Sequence, residues 1–362
     1  NLLETLLNTI LDLLSGIDTL PDSIIDRVQE LFVRVPNEHH QLVIKIVESI
    51  LRFQRIREQF PIQLWMQANN NFNDVKSFFT CFIEKPPENS DEMIFVLVQA
   101  ARDNVDALSV LVDMAKSTKT VSMQIMSHMP LTNRKNDELL LKLYSNLINV
   151  GGLTNQVYQQ EEFYSVCFEL IKNGFNDSVY KLLSNESINF ELTDRYDFVN
   201  VICQTVMNCS NADILWSILN VVYKWLKERY NPKFEVIIPK LHSLLREREA
   251  ASKLGAFLCL IIISNHSVDK INLNDLMIAA MFYISQGTEP VQEVCNEFIL
   301  NNKTVLSQNL VEMTGVFLKF YKEDSLYSAS IVDMLRKMDR KQKHVLPSED
   351  HQKLVSYSKQ EA

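Results

Sequence analysis

Seven glycines in 362 residues constrain this chain more than any motif it carries. Glycine supplies positive-φ turns, bulges and the backbone nests that cradle phosphate. Average usage is roughly 7%, so a chain this poor in it is built from regular elements joined by short connections. Those elements are not strands: no sustained alternating run exists, and no Asn-Gly or Asp-Gly turn joins two such runs. The expected fold class is all-α, with helices at every scale and polar punctuation between them.

That punctuation recurs from end to end. Pro21 opens a helix with Ile24, Ile25, Val28, Leu31 and Phe32 on one face, and Pro36 and Asn37 stop it and cap the next. Leu42, Val43, Ile46, Val47, Ile50, Leu51 and Phe53 then run towards Phe60 and Pro61. Asn89 with Glu92 reads as a capping box, and Asp103, Thr193 and Ser210 read as further caps. Asn231-Pro232 starts a helix pair, and Asn272 or Asn274 starts another. Gly151-Gly152, Gly174 and Gly287 close helices, and Pro290 sits in a first turn. Pair starts near residues 193, 232, 272 and 304 recur every ~40 residues, the period of stacked helical repeats.

The expected architecture is an α-solenoid of stacked antiparallel helix pairs with about 17–19 helices, a count carried by this period. An N-terminal helical segment covers 1–85. Pro86-Pro87-Glu88-Asn89-Ser90-Asp91 is the best linker, followed by a repeat array over 86–344 that is continuous with the first segment. Composition turns polar over 345–362, which reads as a loose tail in which Leu354 and Val355 are the residues able to dock.

One stretch resembles a HEAT repeat residue by residue. Pro239-Lys240-Leu241-x-x-Leu244-Leu245 matches its first helix and Ala250-Ala251-x-x-Leu254-Gly255-x-x-Leu258 its second. The Asp that usually follows the leucines and the usual Val-Arg pair are missing. The chain is thereby identified with the HEAT/armadillo type, and the resemblance implies a superhelical scaffold that binds other proteins along one face. A second resemblance, to the helical subunits that recruit or regulate SMC-type chromosome complexes, is general and rests on no motif.

Charge and motifs exclude more than they assign. The net charge of −9 disfavours a protein whose main task is coating a phosphate backbone. No apolar run reaches the ~18–20 residues needed to cross a bilayer, and no membrane contact is expected. The first residue is Asn1, which fits a piece of a longer protein and leaves a targeting segment unaddressed. Six scattered cysteines without a C-x-x-C pair read as reduced and buried, hence an intracellular setting, nuclear or cytoplasmic with the nucleus slightly favoured. There is no phosphate loop, dinucleotide fingerprint, nucleophile elbow or H-E-x-x-H. The seven histidines, His344 and His351 among them, show no spacing for zinc, and the expectation is no metal, no cofactor and no small-molecule substrate. Glu161-Glu162 and Glu247/Glu249 read as solvated helix faces rather than acid–base pairs.

Three surfaces remain. Arg336, Lys337, Arg340, Lys341 and Lys343, followed by His344, put five positive charges in eight residues. They could grip phosphate or an acidic peptide, or simply favour the negative end of a helix dipole. Arg52 and Arg55, three apart, form a smaller basic pair. Trp216, Tyr223 and Tyr230 at seven-residue steps mark an aromatic stripe for a neighbouring repeat or a protein partner. The functional expectation is a non-enzymatic scaffold or adaptor subunit holding one or more proteins, an obligate heterodimer being one form. The alternative is a nucleic-acid- or chromosome-associated helical subunit that uses 336–344.

Overall fold

The computed structural model describes residues 2–59, 61, 83, 90–131, 136–174, 177–247 and 250–359. Among them there are 22 α-helices, three short 3-10 helices and no strand. Five of the α-helices have seven residues or fewer, and the total exceeds the 17–19 expected. The chain divides into two compact units, Asn1–Phe198 and Val199–Ala362. The boundary expected at 85/86, the linker before Ser90 and the capping role of Asn89 lie outside the described residues.

In the first unit the helices are α1 (Leu2–Ser15), α2 (Ile24–Arg34), α3 (His40–Leu51), α4 (Gln54–Gln59), α5 (Asp91–Ala101), α6 (Val105–Met114), α7 (Lys119–Ser127), α8 (Asp137–Asn149), α9 (Thr154–Val157), α10 (Glu161–Asn173), α11 (Asp177–Leu183) and α12 (Phe190–Arg195). Helix α3 packs against α1 and α2 through Val43, Ile46, Val47 and Ile50, all buried. It also buries His40, whose Nε2 lies 3.0 Å from the carbonyl of Val35, so that histidine belongs to the core edge rather than the surface. Beyond it, α5 pairs with α6, α6 with α8, α8 with α10 and α10 with α12. Tyr144, Tyr158, Phe163, Tyr164 and Phe198 interlock edge-to-face at 5.0–6.3 Å between ring centres, the geometry that aromatic quadrupoles favour.

The second unit holds α13 (Phe198–Asn208), α14 (Ala212–Glu228), α15 (Ile238–Leu245), α16 (Ala250–Ser264), α17 (Leu273–Gln286), α18 (Glu289–Asn301), α19 (Lys303–Gln308), α20 (Leu310–Phe320), α21 (Ser328–Lys341) and α22 (Ser348–Lys359). Here α14 packs on α16, α16 on α17, α17 on α20 and α20 on α22, with α15, α18 and α21 as their partners. Helix α16 is buried nearly all round, from Gly255 to Ser264, as its ten-residue apolar run requires.

Hydrogen bonds that tie one pair to the next reveal the repeat length. In the first unit several join residues 30 to 37 apart, Asn189 to Gln159, Ser90 to Gln124, Asn146 to Val112 and His128 to Asp91, beside ties of 24, 25 and 38 from Tyr158 to Leu182, Asn189 to Tyr164 and Arg52 to Leu14. In the second they span 29 to 41: Arg246 to Asp275, Gln286 to Phe320, Gln342 to Ser307, Cys259 to Leu219 and Ser325 to Ile284. Among the described residues of each unit, neighbouring pairs are thus bonded to one another, the packing of an all-α helical-repeat fold.

Asparagines cap several helix starts, Asn231 and Asn272 where starts were expected and three others one or a few residues from the caps expected. Asn104, not Asp103, accepts from the amides of Asp106 and Ala107. Asn211, not Ser210, accepts from those of Asp213 and Ile214. Asn189 caps α12, and Thr193 sits inside that helix with its hydroxyl donated to Phe190. Asn136, Asn231 and Asn272 cap in the same way, Pro290 occupies a first turn as expected, and Pro239 also stands in a first turn. The amide oxygen of asparagine reaches the exposed N2 and N3 donors from an extended backbone.

The polar tail is not loose. Residues Ser348–Lys359 form α22, Leu354 is fully buried and the Tyr321 and Tyr357 rings stack at 4.0 Å. A buried leucine and a stacked tyrosine are enough to dock a segment whose average composition is polar.

Candidate functional site

The most chemically organised place among the described residues is the joint between α21 and α22. Helix α21 ends in a Schellman motif: the His344 amide donates to the Asp339 carbonyl at 2.9 Å and the Lys343 amide to Arg340 at 3.2 Å. That motif wants glycine at its left-handed position. This chain has Lys343 and His344 there, both at φ 60°, and non-glycine residues in that region cost about 1–3 kcal/mol each unless their surroundings hold them.

Asp339 is what holds them. It has no exposed surface, yet all its acceptors are used. Its Oδ1 accepts from the Leu346 amide at 3.0 Å, and its Oδ2 accepts from His344 Nδ1 at 3.1 Å and His351 Nδ1 at 2.8 Å. An ionised carboxylate only accepts, so both imidazoles present Nδ1–H to it. Burial alone would raise the Asp339 pKa, but the Leu346 amide and the two imidazoles outweigh it and hold the carboxyl below its ordinary value. The two histidine rings meet edge-to-face at 5.1 Å. One ligand atom from each of Asp339, His344 and His351 lies within 4.8 Å of the others, the one group among the described residues with the makings of a metal site. Sequence reasoning passed over it, because Asp339, His344 and His351 are spaced five and seven apart across a helix end, a turn and a new helix.

The basic run surrounds this joint. Lys337 is paired with Asp333 at 2.5 Å, and Arg336 is half-buried. Arg340, Lys341 and Lys343 are exposed, and among the described residues none of the three has an ion pair. They crowd the last turn of α21, where the helix dipole favours cations.

The other predicted residues are tied into the chain. Arg52 donates to the carbonyls of Leu14 and Ile17, the latter at 2.7 Å, and so closes the C-terminal end of α1. Arg55 pairs with Asp22 at 2.7 Å. Trp216, half-buried, lies against Gly255 of α16, its ring 3.2 Å from where a Cβ would stand. Tyr223 is half-buried. Tyr230 donates its hydroxyl to Glu235 at 2.5 Å and stacks on His266 at 4.0 Å. Glu235 accepts also from Ser267 and Lys270, and these bonds, Lys270's foremost, lower its pKa to about 2.

Carboxylates considered for acid–base chemistry hold helices together. Glu162 accepts from the Tyr144 hydroxyl at 2.7 Å and the Leu131 amide at 2.9 Å, and Glu161 pairs with Arg195 at 3.0 Å. The five described cysteines are buried, and burial pushes the thiols of Cys167, Cys259 and Cys295 well above their ordinary value. No helix among the described residues is long and apolar enough to cross a membrane.

No protein-family model matches the chain, and no curated protein matches it either. Among solved structures it is similar to the crystal structure of an engineered protein, at 11% identity over 99% of this chain and 94% of that one, with a TM-score of 0.43. A likeness so distant bears on neither fold nor function.

Proposed function

We propose that the chain is a non-enzymatic scaffold of the HEAT/armadillo type, an adaptor subunit that holds protein partners inside a larger intracellular complex. The observation that carries this reading is the ladder of hydrogen bonds at about one repeat length, in which each helix pair touches its sequence neighbours. Repeats that contact only their neighbours present extended surfaces of the kind that bind protein partners. Helix α1 supports it further. Leu2, Leu6 and Leu13 are 90%, 56% and 63% exposed. At 100° per residue they fall within about 40° of one another, a wet apolar stripe of the kind that marks an interaction surface.

A second reading, a nucleic-acid- or chromosome-associated helical subunit, draws on Arg340, Lys341 and Lys343, exposed and without ion pairs among the described residues. Both are tested by affinity capture from nuclear and cytosolic extracts. The baits are the intact chain and a variant with Arg336, Lys337, Arg340, Lys341 and Lys343 changed to Glu. The scaffold reading expects a stoichiometric protein partner on both baits, lost when Leu6 and Leu13 are changed to Asp. Nucleic acid on the intact bait alone, released steeply as salt rises and with no stable protein partner, replaces it with the second reading.

A further inference from the structure

We propose that Asp339, His344 and His351 form a binding site for a divalent transition metal, Zn²⁺ by class, which fastens helix α22 to the end of helix α21. The inference is independent of the scaffold reading and rests on the geometry of three atoms. Metal–nitrogen and metal–oxygen bonds to such ions are about 2.0–2.2 Å, so two ligands at tetrahedral or octahedral angles stand about 2.9–3.4 Å apart. The distances of 3.1 and 2.8 Å from Asp339 Oδ2 to His344 Nδ1 and His351 Nδ1 are close to two such edges. Both imidazole nitrogens approach the same carboxylate oxygen, and one ligand atom from each of the three residues lies within 4.8 Å of the others.

The site has the accessory features of a built centre. Asp339 is fully buried and its second oxygen is fixed by the Leu346 amide, an outer contact that orients a ligating carboxylate. The left-handed backbone at Lys343 and His344 brings the His344 ring back over the end of its own helix. The His344 side chain is 60% exposed, so water can complete the coordination sphere. Two imidazoles and one carboxylate select a borderline ion. Calcium and magnesium ask for six or more oxygens, and the nearby cations Arg340, Lys341 and Lys343 oppose a weakly held hard dication further.

Binding needs no co-reactant. Each imidazole presents Nδ1–H to the carboxylate. On binding, that proton leaves, to Nε2 or to solvent, and the freed Nδ1 lone pair goes to the metal. The ion then links the last turn of α21, the turn after it and the first turn of α22, closing a thirteen-residue segment, Asp339 to His351, and the free energy of binding becomes docking energy for α22.

The test uses the whole chain with no affinity tag, and Co²⁺ as the spectroscopic probe. The expected result is one Co²⁺ per chain with visible absorption, displaced by Zn²⁺, and Zn²⁺-dependent slowing of amide exchange across residues 348–359. His344→Ala and His351→Ala should each weaken Co²⁺ binding by at least ~10-fold while keeping the far-ultraviolet helical signal. His344 is the safer variant because its ring is largely solvent-exposed. Absence of Co²⁺ absorption in the intact chain, or unchanged affinity in both variants, would overturn the proposal and leave the cluster a hydrogen-bonded latch. Stoichiometric binding without any change in exchange over 348–359 would overturn the fastening role.

Discussion

A methyl group built on Gly255 would stand 2.9 Å from Leu219 Cβ, and 3.2 Å from the Trp216 ring. The backbone of α16 therefore passes α14 with no side chain between them. Gly255→Ala gains about 1 kcal/mol of helix propensity but must displace a Cβ fixed to a neighbouring backbone. Overpacking of this kind costs about 1–3 kcal/mol. The expected sum is a net destabilisation, seen as a lower midpoint in urea with an unchanged slope. A midpoint at or above that of the parent chain would show that α14 can retreat.

Glu235 gives a pH dependence with a definite sign. Its pKa falls from an ordinary 4.5 to about 2 through Lys270, Ser267 and Tyr230. A carboxylate lowered on folding stabilises the native state at every pH above its unfolded value, and that contribution drains away as pH falls from 4.5 towards 2. Glu235→Gln should lower stability at pH 7 and flatten the loss of stability between pH 4.5 and 2. Parallel curves for the two proteins across that window would remove Glu235 from the acid transition.

The caps separate two neighbours in sequence. Asn211 accepts from Asp213 and Ile214 at 3.0 and 3.1 Å, whereas Ser210 is exposed and outside α14. Asn211→Ala is expected to cost about 1 kcal/mol, and Ser210→Ala to stay within about 0.5 kcal/mol of the parent. Thermal unfolding of the two variants side by side decides it.

Leu354 is fully buried where α22 meets its neighbours. Leu354→Ala should cost about 2–5 kcal/mol, spent locally on the docking of the last helix. Amide exchange over 348–359 should accelerate while α14 and α16 keep their protection. Uniform acceleration throughout the second unit would mean instead that α22 folds in one step with the rest.

What the sequence disclosed and what it hid divide along physical lines. Stripes such as Val43, Ile46, Val47 and Ile50 announced helices, because burial on one face imposes a 3.6-residue period. Proline at 290 announced a first turn, because proline costs least where no amide partner is needed. The caps slipped by a residue at Asp103 and Ser210, since each neighbours an asparagine and only the backbone angle decides which side chain reaches the amides. The C-terminal helix was hidden because docking needs few apolar residues, and Leu354 alone does not lift an average. The Asp339 cluster was hidden because turn geometry made it: nothing local in Asp339, His344 or His351 says that two left-handed residues will fold them together. Arg52 and Arg55 read as surface charge because a carbonyl or carboxylate some 33 to 35 residues upstream leaves no local trace.

The spacing of the bonds between helix pairs also sets a clock. A partner about 40 residues away emerges from the ribosome about 2–8 s later at synthesis rates of about 5–20 residues per second. Each pair can therefore settle on the one before it while the rest of its unit is still unmade, and its apolar face is exposed for seconds, not for the whole of translation. With contacts so local, the entropy of closing a loop is nearly the same at every step. Inserting another pair would lengthen the protein without making it slower to fold.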